Sequence, residues 1–400
     1  MVTELFPGRA MSLECDFCRS PSLQFAYTPD GTTRGLKVYV CGGCGLVQSL
    51  PRVARTADRH AAAVSGGADW GNVRYGKGFR TTQALDAIAR HTDLSAPLKL
   101  LDVGSNRGSF ARAFLDKAPD AALTAVEPDE RYADSCADLP RTELVQLRTE
   151  NTAFADASFD IVHSCHTIEH LAEPFAALKD HARVLKAGGL LVIDAPNTAL
   201  LGGADIVEEW FIDKHLFHFS ARTLSRMIEA AGFTIIQQNN AADAVNLLFV
   251  AKKTGEAATR IEADPAEAAE ATALMARYQR TRAHNLVALT QAAQELNALK
   301  PRRVALWGAG RLFDLLVRDG GFDPATLTLL IDTHLKKHMD SRHGVALATP
   351  DDLPADIDAV VVMSRMFAGE ITAEVQRRAP RAQIILYVDL LGRARLNRAA

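Results

Sequence analysis

From residue 99 to residue 196 the chain alternates short apolar runs with amphipathic stretches, and that alternation leaves it few folds to choose from. KLLDVG reads as a buried strand stopping at glycine, Ser109 to Lys117 as a helix, ALTAVEP as a strand and Glu130 to Asp138 as a helix. FDIVHS then reads as a strand, Phe175 to Leu185 as a helix and GGLLVIDAP as a strand. Val, Ile and Leu runs without polar alternation mark strands covered on both faces, so the order predicts a parallel sheet with helices on either side. Ahead of it, Thr81 to about His91 carries Ala84, Leu85, Ile88 and Ala89 at helical spacing. Behind it, HFSARTLSRMIEAAGF predicts a helix capped by Ser220 and stopped at Gly232, followed by strands TIIQQ and NLLFVAKK.

The 400 residues are enough for two or three domains. The pattern divides them into a small metal-binding module over 1–65, the α/β core over 66–253, connecting helices over 254–300 and a second α/β domain over 301–400. The connecting stretch, about Pro265 to Leu299, is rich in Ala, Glu, Gln and Arg with no internal Gly or Pro, which predicts one or two helices. The last domain repeats the alternation: RRVALWGAG, TLTLLIDTH, IDAVVVMS and QIILYVDLL as strands, with helices near Leu312 to Val317 and Ala368 to Arg378.

Charge narrows the partners. The 45 basic and 48 acidic residues are mixed along the chain for a net of −3, which gives no footprint for a polyanion, so nucleic acid is not an expected partner. The start, MVTELFPGRAMSLECDF, lacks the basic opening and apolar run of a signal peptide. No stretch approaches the roughly 20 apolar residues that cross a bilayer, so the expectation is a cytoplasmic protein without a membrane partner.

In that setting six cysteines are not a disulfide framework, and four stand in two tight pairs. Cys15 and Cys18 form CDFC, and Cys41 and Cys44 form CGGC. A two-residue spacing lets both thiolates of a pair face one tetrahedral ion at about 2.3 Å. The turn-rich segment around them buries little apolar surface and needs such a staple. Structural zinc is the expectation, with a redox dithiol or an iron–sulfur cluster as the rival readings.

LDVGSNRG places Asp102 at a strand end and Gly104, Asn106 and Gly108 in the following turn, where short or missing side chains admit close backbone approach by a ligand. The acidic strand end and the asparagine suit an ammonium better than a phosphate. One strand over, AVEPD supplies Glu127 and Pro128, and a carboxylate there can accept hydrogen bonds from both hydroxyls of a ribose.

FADASFDIVHSCHTIEHL completes the set: it resembles the acidic loop, strand and EHL run of class I S-adenosylmethionine-dependent methyltransferases. The resemblance implies a doubly wound α/β core that binds S-adenosylmethionine through Asp102, Gly104, Asn106, Gly108, Glu127 and Pro128. The family has an acidic residue paired with a small one at the adenine edge; the register here puts Arg148 and Thr149 there, with Glu150 just beyond, and His166 would lie beside the cofactor. The whole layout further resembles the sugar C-methyltransferases, which join an N-terminal zinc module to such a core and a C-terminal Rossmann-like domain. In that family a histidine after the fourth strand, here His170, and a Glu-His pair before an FS motif serve deprotonation beside a ketone. Here the pair reads Lys214-His215, and Ile212 stands where the family has a tyrosine. His215 can still act as base and Lys214 can steady an enolate or contact a phosphate, while His218 reads as a packed lead-in to the helix.

Tyr75, in WGNVRYGKGFR, resembles a segment that covers cofactor or substrate, with a plain linker as the alternative. WGAGRLF lacks the third glycine of a dinucleotide fingerprint, and Asp332 ends the next strand. By the resemblance this last domain holds the nucleotide of a nucleotide-linked sugar; packing or dimerisation is the other use for it. The expected reaction is carbon methylation of such a sugar, with oxygen or nitrogen methylation of a small molecule, and a non-catalytic cofactor-binding scaffold, as the alternatives.

Overall fold

The structure, a computed structural model, describes residues 14–29, 32, 35–52, 78–201, 210–239, 246–364 and 367–396. These fall into two compact units, one ending at residue 276 and the other beginning at residue 277. Tyr75 lies outside the described residues.

The first unit opens with an antiparallel meander, β1 (Leu23–Tyr27), β2 (Lys37–Cys41) and β3 (Val47–Leu50). Its core is α1 (Phe79–Ala89), β4 (Lys99–Val103), α2 (Ser109–Lys117), β5 (Ala122–Val126), β6 (Thr142–Val145), β7 (Phe159–Cys165), α3 (Pro174–Val184) and β8 (Leu185–Pro196). A two-residue strand β9 (Phe217–His218), α4 (Ala221–Ala230), β10 (Phe233–Gln238) and β11 (Asn246–Lys253) follow.

The seven-stranded sheet runs β10-β11-β8-β7-β4-β5-β6. Successive strand residues point to opposite faces. Leu100, Ile161, Leu190 and Val192 therefore pack with Leu85 and Ile88 of α1 and Phe110 and Phe114 of α2. Leu101, Val162, Leu191 and Ile193 pack with Phe175 and Leu178 of α3 and Leu224 and Met227 of α4. Each such aliphatic side chain contributes roughly 1.5–3 kcal/mol when fully buried.

β11 runs antiparallel to both β8 and β10, and residues 239–245 are too few for the crossover of a dozen or more that a parallel β10–β11 pair requires. One element of this unit departs from the sequence expectation. Glu130 to Asp138 forms only a 3₁₀ turn, Glu130–Tyr132, followed by further turns. Asp129 caps that turn through the Arg131 amide, and the Arg112 guanidinium takes the Ser135 carbonyl at 2.8 Å, an acceptor that a continuing α-helix would need.

α4 keeps its forecast ends. The Ser220 side chain accepts from the Thr223 amide at 3.0 Å and the Thr223 hydroxyl accepts from the Ser220 amide at 2.9 Å, a reciprocal capping box. Ser220→Ala is expected to cost about 1 kcal/mol, read as a lower urea midpoint with an unchanged slope.

A single helix of 33 residues, α5 (Pro265–Asn297), spans the connecting stretch. The second unit adds β12 (Val304–Trp307), α6 (Arg311–Arg318), β13 (Leu329–Ile331), β14 (Ser341–Arg342), β15 (Val345–Ala348), β16 (Ala359–Val362), α7 (Ala368–Arg378), β17 (Gln383–Leu386) and α8 (Tyr387–Leu396). Its sheet order is β14-β15-β13-β12-β16-β17, parallel except at the β14–β15 hairpin. QIILYVDLL was expected as one strand, yet it turns helical at Tyr387. Tyr387, Leu390, Leu391 and Ala394 recur at three- and four-residue steps and are all buried, which only a helix can achieve. Among the described residues no helix is long and apolar enough to cross a membrane.

Candidate active site

The sheet changes direction at β4: β5 and β6 lie on one side of it, β7 and β8 on the other. Open α/β sheets bind ligands outside the carboxyl ends of the strands at such a point. There β4 leaves the sheet into a loop with φ of 79° at Gly104, 49° at Asn106 and 70° at Gly108, all left-handed. A Cβ on Gly104 would stand 2.0 Å from Thr167 Oγ1, and one on Gly108 would stand 2.8 Å from the Ser135 carbonyl. Both glycines are thus required by close packing within the fold itself.

Glu127, buried at the end of β5, joins the two strand ends. Its Oε2 accepts from the Asn106 amide at 3.0 Å and its Oε1 from the Asp129 amide at 2.9 Å. Asp102 turns along the sheet instead: its Oδ1 meets His163 Nδ1 at 2.7 Å, and the His163 ring stacks on Phe110 with centroids 3.6 Å apart. Asp102 Oδ2 is buried with no hydrogen-bond partner. Pro128 is half-buried after Glu127. Thr149 and Glu150 sit on a 3₁₀ turn, where Glu150 pairs with Arg148 at 2.8 Å and accepts from the Ala172 amide at 3.2 Å.

Past β7 the chain takes a left-handed turn at His166, whose φ is 49°. His166 Nε2 meets Asn246 Oδ1 at 3.0 Å, and its Nδ1 stands 3.5 Å from Glu169 Oε1. Burial, then the charge of Arg80, hold this imidazole well below the usual histidine range, so it is neutral. Glu169 is 1% exposed, and neither carboxyl oxygen has a hydrogen-bond partner from another residue. Burial pushes it up to about 8, reinforced by Asp194 and opposed by Lys214 and Arg80. His170 Nε2 lies 3.7 Å from the same Glu169 oxygen.

The histidines separated in sequence meet here. The rings of His170 and His215 have centroids 5.0 Å apart. His170 Nδ1 lies 2.7 Å from the Lys214 carbonyl and His215 Nδ1 lies 3.0 Å from the Trp210 carbonyl. A carbonyl only accepts, so both Nδ1 atoms carry a proton, and in the neutral ring Nε2 is the nitrogen with the lone pair. His218 turns away: it is buried, edge-on to Phe211, with Nε2 3.0 Å from Ser49 Oγ. Burial and His215 hold it well below the usual range, as a packed residue.

The four cysteine thiols of the first unit converge, with Cys15 and Cys44 sulfurs 3.5 Å apart, Cys18 and Cys41 likewise, and all four within 4.8 Å. Four sulfurs about 2.3 Å from one tetrahedral ion stand about 3.8 Å apart, so the set fits such an ion with small adjustment. The Gly43 amide points at Cys41 Sγ at 3.3 Å. The knuckle is not a separate body. Cys15, Phe17, Cys41, Cys44 and Leu46 share one buried cluster with β8, α3 and α4, and β9 pairs with β3 as the fourth strand of the meander.

In the second unit Asp332, at the end of β13, accepts from the amides of Ala309 at 3.0 Å, His334 at 3.1 Å and Leu335 at 2.9 Å. Its carboxylate is committed to bracing the two loops.

Glu169, Asp194, Asn246 and His163 were not singled out from the sequence. For Glu169 the available signal was an acid between Ile168 and Leu171, both buried, directly before His170.

Comparison with known proteins agrees with this geometry. Residues 77–238 match the model of a methyltransferase domain family. An uncharacterized methyltransferase of Mycobacterium tuberculosis is 35% identical over 108 residues, 26% of this chain and 42% of that protein. One of Mycolicibacterium gilvum is 39% identical over 128 residues, 29% of this chain and 49% of its own. The chain thus spans under half the length of these relatives. Among solved structures, a SAM-dependent methyltransferase of Aquifex aeolicus aligns over 48% of this chain and 98% of its own, at 15% identity and a TM-score of 0.38. Residues 77–238 thus match a methyltransferase domain, carried on a doubly wound α/β fold beside a four-cysteine cluster.

Proposed function

We propose that this chain transfers a methyl group from S-adenosylmethionine to a carbon of a nucleotide-linked keto sugar, with zinc held structurally by Cys15, Cys18, Cys41 and Cys44. The observation that supports the reading most is the pairing of two strand ends at the switch point, the Gly104–Gly108 loop after β4 and Glu127 after β5, with His170 and His215 gathered past β7. When bound, the cofactor supplies an electrophilic methyl on its sulfonium. Glu127 would receive the ribose hydroxyls, the Asp102–Gly108 segment the amino-acid portion, and Pro128, Thr149, Glu150 and His166 the remaining edge. The second unit is proposed to serve the nucleotide.

The chain's own chemistry is proton removal. Hydrogen bonding at Nδ1 makes Nε2 the basic nitrogen of both His170 and His215. Either can take the proton from a carbon beside a ketone, leaving an enolate whose carbon accepts the methyl group, and Lys214 steadies the enolate oxygen.

Turnover of a panel of nucleotide-linked keto sugars with isotopically labelled methyl donor, read by mass analysis, tests this. His170→Ala and His215→Ala are expected to lower kcat by about 100- to 10,000-fold. Label on oxygen or nitrogen would shift the reading to that methylation, cofactor binding without turnover would favour the scaffold, and unaffected variants would remove the base assignment.

A further inference from the structure

Glu169 has a position at this edge that methyl transfer alone does not explain. It is buried, neither of its oxygens has a hydrogen-bond partner from another residue, and it faces two imidazoles. A carboxyl placed this way needs either a proton or a cation.

Its neighbours are arranged for a cation. Ligand atoms of Glu169, His170 and His215 all lie within 4.8 Å of one another, and Glu169 Oε1 stands 3.7 Å from His170 Nε2. Oxygen and nitrogen ligands about 2.0–2.2 Å from one divalent ion are about 3–3.6 Å apart, so small side-chain adjustments would close the set. Each histidine also gives its Nδ1 proton to a backbone carbonyl, of Lys214 and of Trp210, which orients the ring and raises the basicity of Nε2. Metal-ligating histidines are held in this way. The two contributing segments are tied together, since the Leu216 amide donates to the Glu169 carbonyl at 2.8 Å.

We propose that Glu169, His170 and His215 form a second metal site, distinct from the cysteine knuckle, for a divalent first-row transition-metal ion with coordination positions left for an oxygen of the acceptor. Two imidazoles and one carboxylate suit manganese, ferrous iron, cobalt or zinc. The ion's presence stands apart from the methyl-transfer reading; only its role rests on it. In that role the histidines hold the ion instead of acting as bases, the ion polarises the acceptor's carbonyl, and the proton on the neighbouring carbon passes to a hydroxide carried by the ion, which becomes water and leaves the enolate.

The test uses the full chain with its knuckle metal retained, verified by zinc content, after mild dialysis against a chelator. Cobalt(II) alone is titrated in and followed by bound-metal analysis and visible absorption, where nitrogen and oxygen ligation lacks the intense sulfur-to-cobalt bands of a thiolate site. The expected result is one equivalent per chain without those bands. Glu169→Gln and, independently, His215→Gln should weaken it by at least about 10-fold with the circular dichroism spectrum preserved. A wild-type chain that takes up no such equivalent, or a folded Glu169→Gln that takes it up as tightly as wild type, overturns the site. Undiminished methyl transfer by the cobalt-free, zinc-retaining protein, with His170→Ala still inactive, sinks the ion's role and leaves the histidine-base reading standing.

Discussion

Glu127→Ala is expected to weaken binding of S-adenosylmethionine, and of its demethylated product, by about 100-fold or more. A hydrogen bond to an ionised carboxylate contributes about 1.5–3 kcal/mol, so losing the two that a ribose diol would make removes about 3 kcal/mol, roughly two decades in Kd. The variant also strips the acceptors that hold the Asn106 and Asp129 amides, which loosens both strand-end loops. Glu127→Gln keeps the shape and one acceptor, so it should fall between the two. Calorimetric titration of the full chain reads the effect directly, and an alanine variant binding within threefold of wild type would remove the ribose contact from the site.

Metal removal from the knuckle carries the other large effect. Chelation strong enough to strip the four-cysteine site, or Cys41→Ser, is expected to unfold the β1–β3 meander and abolish methyl transfer. Structural zinc in small modules contributes about 10–16 kcal/mol of apparent binding free energy, as much as the whole stability of an ordinary domain at about 5–15 kcal/mol. The damage should not stay local. Val47 pairs with His218 and Gln48 with Phe217, the Ser49 amide donates to the Leu216 carbonyl at 2.8 Å, and Asp16 accepts the Phe175 amide at the start of α3 at 3.1 Å. The strand that follows His215 is thus completed by the knuckle. Hydrogen exchange at Phe217–Phe219 should accelerate together with exchange in β3 as zinc is released. A zinc-free chain with unchanged exchange in β9 and an unchanged thermal midpoint would show that the knuckle is not a staple.

Much of the central sheet was legible because its signals are local. Leu100, Leu101 and Val103 announce a strand buried on both faces, and Ser220 followed by Thr223 announces a helix start. The same logic located both cysteine pairs. It failed at Tyr387, where a strand-like apolar run conceals a helical stripe. It failed again at Glu130, where the chain forms turns and the Ser135 carbonyl is taken by Arg112, a residue on another element.

The candidate site was legible in kind and only partly in arrangement. Asp102, Glu127, His170 and His215 could be singled out as chemistry-bearing residues, since their types and their places at strand ends stand in the sequence. That Asp102 spends one oxygen on His163, 61 residues away, could not be read there, nor could the alignment of His170 with a carbonyl 44 residues on. That the fold buries Glu169 against the His170 ring could not be read there either.

By itself, the order of residues determined the strand and helix alternation, the doubly wound sheet and the paired thiols. Each depends on interactions among neighbours a few positions apart, which periodicity and spacing record. Tertiary structure alone decided that the knuckle borrows β9 from the core and that two imidazoles converge on one buried carboxyl. These depend on which distant groups are desolvated together, and the free energy of a buried charge or a shared strand exists only once the chain has closed around it.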